Sequence, residues 1–359
     1  MLNSLTSFRF IAALMVFVFH LEVFSQFQLG SAGVQFFFVL SGFILAYNYH
    51  SKFSEVSRKN LKNFYRARFA KVYPVHLLTF IIAAPLVILY FKPDGLYFIK
   101  FAFMSAINLL LVQSFIPNEG TYFNFNGVSW TLSVEALFYL TFPFLIWTFT
   151  KLKVVKNVII AVVAIVVVWV VLFILNVNLN ESSDFQKWVL HIFPVARMFE
   201  FSTGVIMGII FAANPKREVS NKKLLSFLEI LSVVLFIAAL LFSIGLDVGI
   251  VRGVYFVPIW CLLIYTFAHN GGLLSKALSN RLLVYLGEIS FSFYMIHQLV
   301  IRYYEYFNLE TTYKFLICLV LSLLLSAAMF KYYEEPMRKI LRYGAKKKQD
   351  KGILMKTPA

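Results

Sequence analysis

Apolar runs close to twenty residues long, separated by short basic segments, recur along nearly the whole chain and decide its fold class. A helix that crosses a ~30 Å hydrocarbon core needs about 20 mainly apolar residues. Such runs fall at 7–23, 30–49, 72–91, 128–148, 158–175, 188–213, 224–244, 251–268, 284–303 and 313–333. None alternates as a membrane barrel strand does. The sequence therefore predicts an all-α polytopic membrane protein of about ten transmembrane helices. Only 14% of the 359 residues are charged. That is well below the roughly one quarter of an average soluble domain, and argues against a soluble fold.

Net charge is +16, and the basic residues gather between apolar runs. This pattern points to cytoplasmic loops beside an anionic leaflet, with no nucleic-acid partner. The strongest basic segment, 52–71, holds Arg58, Lys59, Lys62, Arg66 and Arg68. Placing it inside puts the N-terminus inside and runs the first helix outward. One further run, 96–115, breaks the parity. If it spanned, Lys151, Lys153, Lys156, Lys216, Arg217, Lys222 and Lys223 would lie outside, and Glu181 and Asp184 inside. It is therefore expected to re-enter or to lie at the interface. Lys276, Arg281 and the C-terminus then also lie inside. One membrane domain is expected over 1–340. A basic, disordered, lipid-facing tail is expected over 341–359 (Arg342, Lys346, Lys347, Lys348, Lys351). The first run lacks the basic n-region and A-x-A site of a cleaved signal peptide. Cys261 and Cys318 fall in apolar runs and read as packed thiols.

The first run carries Arg9 and, eleven residues later, His20. On a helix that spacing is roughly 16 Å along the axis. Ionisable groups inside a span are costly, so each is a functional candidate. Two readings stand for His20: an imidazole packed at the outer interface, or a base poised near neutral pH. Arg9 is a snorkelling cation or a substrate contact. Glu135, two turns into its helix, orients His20 or forms a structural ion pair. Arg197 and Glu200, three apart, read as a buried pair, and Gly204 and Gly208 as a close helix contact. His297, beside Tyr294 and Ser290, is a core imidazole or a second candidate base. His50, His76, His191 and His269 sit near run ends and are expected at the interface. Ser41 and Trp130 read as packing residues that shape a tunnel. Arg66 and Arg68, with Lys71 and Arg58 behind them, are ordinary inside charge or a phosphate site. No HExxH spacing, phosphate loop or GxSxG elbow occurs, so no metal site is expected.

Six blocks, in order, then resemble the acyltransferase-3 family of bacterial integral-membrane O-acyltransferases that modify surface carbohydrates. They are FRFIAALMVFVFH, GVQFFFVLSGFILA, FYRARFAKVYPVHLL, NGVSWTLSVEALFYLTFPFL, RMFEFSTGVIMGI and LGEISFSFYMIHQLV, the last followed by YYEEPMRK. The resemblance implies a multi-pass domain of ten helices in the bacterial cytoplasmic membrane. It implies acyl-CoA, most simply acetyl-CoA, as a donor from the cytoplasm and no permanently bound cofactor. The implied acceptor is an envelope glycan, a lipopolysaccharide O-antigen or an exopolysaccharide, reached from outside. His20 is then the base or the acyl carrier, with Glu135 and Arg9 beside it. Arg66, Arg68 and Lys71 are the groups for the CoA phosphates, which suit the forked guanidinium. His297, Tyr294, Ser41, Trp130, Arg197 and Glu200 surround the substrates. The chain departs from the family at Gln35, where an acid is frequent, at Phe8 and Phe10, where a glycine is common, and at Lys71, usually arginine. No extracytoplasmic hydrolase-like domain is expected. Two other functions compete: a flippase or transporter of a lipid-linked sugar, and a structural subunit of a polysaccharide assembly complex. A transporter would more often show paired halves with broken helices, and no such repeat is visible.

Overall fold

The computed structural model describes residues 2–53, 55–179, 183–213, 221–309 and 311–343. Of the tail expected to be disordered over 341–359, residues 341–343 are helical; residues 344–359 and the charges of Glu181, Lys216 and Arg217 lie outside the described residues. The main helices, in order, are α1 (Asn3–His20), α2 (Leu29–Tyr49), α3 (Arg58–Phe91), α4 (Leu96–Leu109), α5 (Trp130–Lys151), α6 (Val158–Leu179), α7 (Met198–Ala213), α8 (Lys222–Ser243), α9 (Val257–Ala268), α10 (Arg281–Tyr306), α11 (Lys314–Met329) and α12 (Glu335–Tyr343). Among the described residues there is no strand, and nine helical segments are long and apolar enough to cross a membrane.

The burial pattern is that of a membrane protein. Along α6 the most apolar eighteen-residue stretch has no buried residue. Its valines and isoleucines face outward, as lipid contact demands and water forbids. Charged and polar groups instead sit inside, with Arg197, Glu200, Glu229, His297 and Glu334 all buried.

Three expected boundaries change, each for a local reason. The third span does not begin at residue 72. Ser57 caps a 34-residue helix by accepting the Asn60 amide at 3.2 Å, so the basic segment is helical from Arg58 onward. At 1.5 Å per residue α3 is about 51 Å long, well beyond a hydrocarbon core of ~30 Å. The run 188–213 is not one helix. Phe193 is extended (ψ 121°) because Pro194 follows it, and the chain re-enters helix only at Met198. The sixteen residues of α7 reach about 24 Å. The run 251–268 is likewise broken, with a short helix Val248–Arg252 preceding α9, which starts with Pro258 in its first turn.

The run 96–115 forms α4, fourteen residues and about 21 Å, then irregular backbone back toward α5. Buried side chains hold that return: Gln113 donates to Ser129 O at 3.0 Å and Ser114 to Trp130 O at 2.8 Å. Trp188 Nε1 donates to Ser114 O at 2.9 Å. Buried non-helical backbone requires this kind of internal satisfaction.

The central contact is α2 against α7. A Cβ on Gly42 would strike Phe201 O, and one on Gly204 would strike Val39 O; Gly208 faces Phe43 O in the same way. Small residues let the two backbones touch and lock the helices that flank the site.

Candidate active site

The site begins where α1 crosses α10. Phe17 packs edge-on against His297, with ring centroids 6.1 Å apart, and also against Phe293. This brings His20, the last residue of α1, beside His297. His297 Nε2 lies 3.1 Å from His20 Nδ1. His20 Nδ1 is also 2.9 Å from Val16 O, and His297 Nδ1 is 3.2 Å from Phe293 O.

These contacts assign the tautomers of the neutral rings. A carbonyl only accepts, so both Nδ1 atoms carry hydrogen. The single His20 Nδ1–H is then shared between Val16 O and His297 Nε2, and the remaining lone pair of His20 is on Nε2. His20 opens on a cavity of about 760 Å³; His297 is wholly buried behind it. An imidazole held by a second acceptor, with its Nε2 lone pair facing a cavity, is the arrangement general-base chemistry needs.

A second cavity, of about 320 Å³, opens nearer the start of α1. Arg9, Arg68 and Lys71 line it, against one carboxylate, Glu135. Arg68 and Lys71, three apart on α3, share a face; the Arg68 guanidinium stands over the rings of Tyr49, Phe64 and Tyr139 at 5.9 Å each. Glu135 accepts from Tyr139 Oη at 2.6 Å, and Ser41 lies beside the same hydroxyl. Glu334 accepts from Ser292 at 2.6 Å and, with Glu135, lies within electrostatic reach of Arg9 and Lys71. Among the described residues the close ion pairs are elsewhere, so these cations keep donors for a ligand.

Val34 and Tyr294 line both cavities, so they mark the neck where one approaches the other. Thr131 Oγ1 donates to Val128 O at 2.9 Å, which leaves it to accept from Tyr294 Oη at 3.0 Å. Trp130 faces the His20 side of the neck and Ser41 the Arg9 side.

Several expected placements change. Glu135 lines the Arg9 cavity and not the His20 cavity, so His297, not a carboxylate, supports the imidazole. Arg66 leaves the group: two residues from Arg68 on a helix, it points to another face and donates to Leu341 O at 2.5 Å. Arg197 precedes α7 and lies on the wall of the larger cavity, paired at 2.9 Å with Glu200 in the first turn of that helix; both are buried. His76 is not interfacial but buried, 3.0 Å from Asn108 O, and His191 lines the larger cavity. Tyr139 and Val34 were not singled out in the sequence. Tyr139 had a signal, four residues after Glu135 on one helix face; Val34, an ordinary valine, had none.

The fold and these cavities define a polytopic helical membrane protein with an ionisable interior. The chain belongs to the acyltransferase-3 family: residues 2–331 match the family's acyltransferase-domain model. It is similar to the acyltransferase MdmB of Streptomyces mycarofaciens, at 33% identity over 336 residues, covering 84% of this chain and 79% of MdmB. It is also similar to the O-acetyltransferase OatA of Staphylococcus aureus, at 25% identity over 356 residues. That match covers 94% of this chain but only 57% of OatA. No solved structure matches the chain.

Proposed function

We propose that the protein is a membrane O-acyltransferase that moves an acyl group, acetyl in the simplest case, from cytoplasmic acyl-CoA to a hydroxyl of a cell-envelope glycan. One observation carries this reading. Two cavities, one lined by Arg9, Arg68 and Lys71 and the other by His20 together with Lys187, Arg197, Arg252 and Arg302, share Val34 and Tyr294 as lining residues.

The CoA phosphates bind at Arg68 and Lys71, with Arg9 deeper in the same cavity. The basic start of α3 speaks for this end being cytoplasmic. The smaller cavity has room for the slender arm, not for a whole nucleotide. The arm passes the neck and presents its thioester beside His20. The acceptor hydroxyl enters the larger cavity from the opposite end. His20 Nε2 takes the hydroxyl proton as the oxygen attacks the carbonyl carbon, while His297 holds the imidazole in place. Proximity supplies much of the rate, since both reactants are fixed on either side of one neck. MdmB and OatA, named as an acyltransferase and an O-acetyltransferase, support the reaction class.

The test uses purified full-length protein, labelled acetyl-CoA and glycan extracted from the host envelope. Label is expected on the glycan with wild type and not with His20→Ala. Equal label transfer by His20→Ala overturns the assignment. Glycan export without any label transfer points instead to a flippase.

A further inference from the structure

We infer that Gln298 is a catalytic residue of this site, donating a hydrogen bond from Nε2 to the oxyanion that forms on the thioester carbonyl. The inference rests on the acyl-transfer reading above and assigns a group which that reading leaves without a donor: the carbonyl oxygen.

The Val128 backbone N–H donates to Gln298 Oε1 at 2.9 Å. A backbone amide only donates, so this contact fixes which end of the side chain is oxygen. Nε2 is therefore the outward end. Its two hydrogens meet no acceptor among the described residues, and Gln298 lines the same cavity as His20.

The surroundings pin the amide in that place. Gly127 sits directly against it: a Cβ there would lie 2.6 Å from Gln298 Oε1 and 2.8 Å from Nε2. The turn 127–129 that offers the Val128 amide leads straight into α5. It is tied from the other side, where Asn126 Nδ2 donates to Met295 O at 2.7 Å. On α10, Tyr294, Gln298 and Arg302 repeat every fourth residue and all face the larger cavity. Gln298 thus stands one turn, about 6 Å of rise, beyond the neck residue Tyr294. A thioester that emerges past Tyr294 meets it first. The next residue back in the chain, His297, holds the base.

The acceptor oxygen bonds to the thioester carbonyl carbon and its proton passes to His20 Nε2. The carbonyl electron pair moves onto oxygen, where Gln298 Nε2–H stabilises it. Collapse restores the carbonyl, breaks the carbon–sulfur bond and expels the CoA thiolate, which takes the proton back from the imidazolium. A fixed donor aimed at developing charge costs no reorganisation at the moment of reaction.

Gln298→Glu separates this role from a merely structural one. Its carboxylate still accepts the Val128 amide but puts a negative oxygen where Nε2 stood. With acetyl-CoA as donor and extracted envelope glycan as acceptor, kcat is expected to fall about 10²–10³-fold, with both KM values within about threefold of wild type. A fall below about tenfold, or a loss carried by KM alone, overturns the inference. Gly127→Ala is the second variant, because its new methyl displaces the amide without touching its chemistry. It is expected to lower kcat by at least about tenfold, and to add nothing further in the Gln298→Glu background. Full additivity of the two counts against the inference. His20→Ala runs alongside. If it is inert while Gln298→Glu is active, only this inference fails; if it is active, the base assignment fails whatever Gln298 does.

Discussion

His297 Nε2 lies 3.1 Å from His20 Nδ1, joining two imidazoles that are 277 residues apart in the chain. His297 passes its own Nδ1–H to Phe293 O, so its Nε2 is left to accept. In the proposed mechanism a neutral ring stands where a hydrolase triad has a carboxylate. This suits an apolar interior, where a second full charge would need its own partners.

In that proposal His297 is a positioning residue, and the first prediction separates that role from packing. His297→Phe keeps the aromatic bulk against Phe17 and Phe293 but removes the acceptor. We expect kcat to fall by about 10²-fold, with donor KM little changed. Thermal stability in detergent should stay close to wild type. The rate of wild type should rise with pH to a plateau as the base loses its proton. The midpoint should move in His297→Phe, since the ring that holds the imidazolium is gone; an unmoved midpoint with a lower plateau would assign His297 to packing alone.

The basic cluster gives the second prediction, which turns on a division within α3. Arg68 and Lys71 face the smaller cavity, whereas Arg66 donates to Leu341 O. Hydrogen bonds to charged groups contribute about 1.5–3 kcal/mol, so Arg68→Ala or Lys71→Ala should raise the acetyl-CoA KM by roughly ten- to hundredfold. Arg66→Ala should leave it within about threefold, as an exposed side chain away from the site does. Steady-state kinetics on the three variants decides between a phosphate site and ordinary inside charge.

Much of this was legible in the sequence, and the rest fails for identifiable reasons. Apolar run length gave the membrane fold, because hydrocarbon thickness sets helix length directly. Arg9 and His20 were legible because local spacing on one helix is rigid. Their distribution between two cavities was not, since run length says nothing about which face of a neighbouring helix fills the space between. Glu135 shows the limit: depth counted in turns put it near His20, but its helix face directs it to Tyr139 and Arg9 instead. The break at Phe193 had a plain signal in Pro194, outweighed by the apolar length of the run. The pairing of His20 with His297 and the neck at Val34 depend on tertiary packing alone.

The third prediction concerns the buried Arg197–Glu200 pair, 2.9 Å apart, whose guanidinium lies on the wall of the larger cavity. Arg197 NH1 also approaches Arg252 O at 3.3 Å, so the guanidinium ties the turn before α7 to the segment before α9. Arg197→Met strands a buried carboxylate and should cost about 3–5 kcal/mol. Adding Glu200→Leu removes that stranded charge and should recover much of the loss. A thermal melt of the three proteins reads this out; a double variant no better than Arg197→Met alone would mean that the backbone contacts of Arg197 carry the stability.

The neck gives the last prediction, and it tests the two-cavity geometry itself. Val34 is 7% exposed, lies on α2, and with Tyr294 is shared by both cavities. Val34→Phe adds an aromatic ring where the thioester arm must pass. Overpacking of this sort costs about 1–3 kcal/mol, which a stable helical bundle tolerates. The cations of the smaller cavity are untouched, so acetyl-CoA should still raise the melting temperature of the variant. Acyl transfer should nevertheless drop by about 10²-fold or more, because a reacting group held back by even a turn loses the advantage of proximity. Val34→Ala widens the same neck and should keep transfer within about tenfold, a smaller effect since the bound reactants can still meet. Loss of donor binding in Val34→Phe, or undiminished transfer through the narrowed neck, would show that the donor reaches His20 by another path.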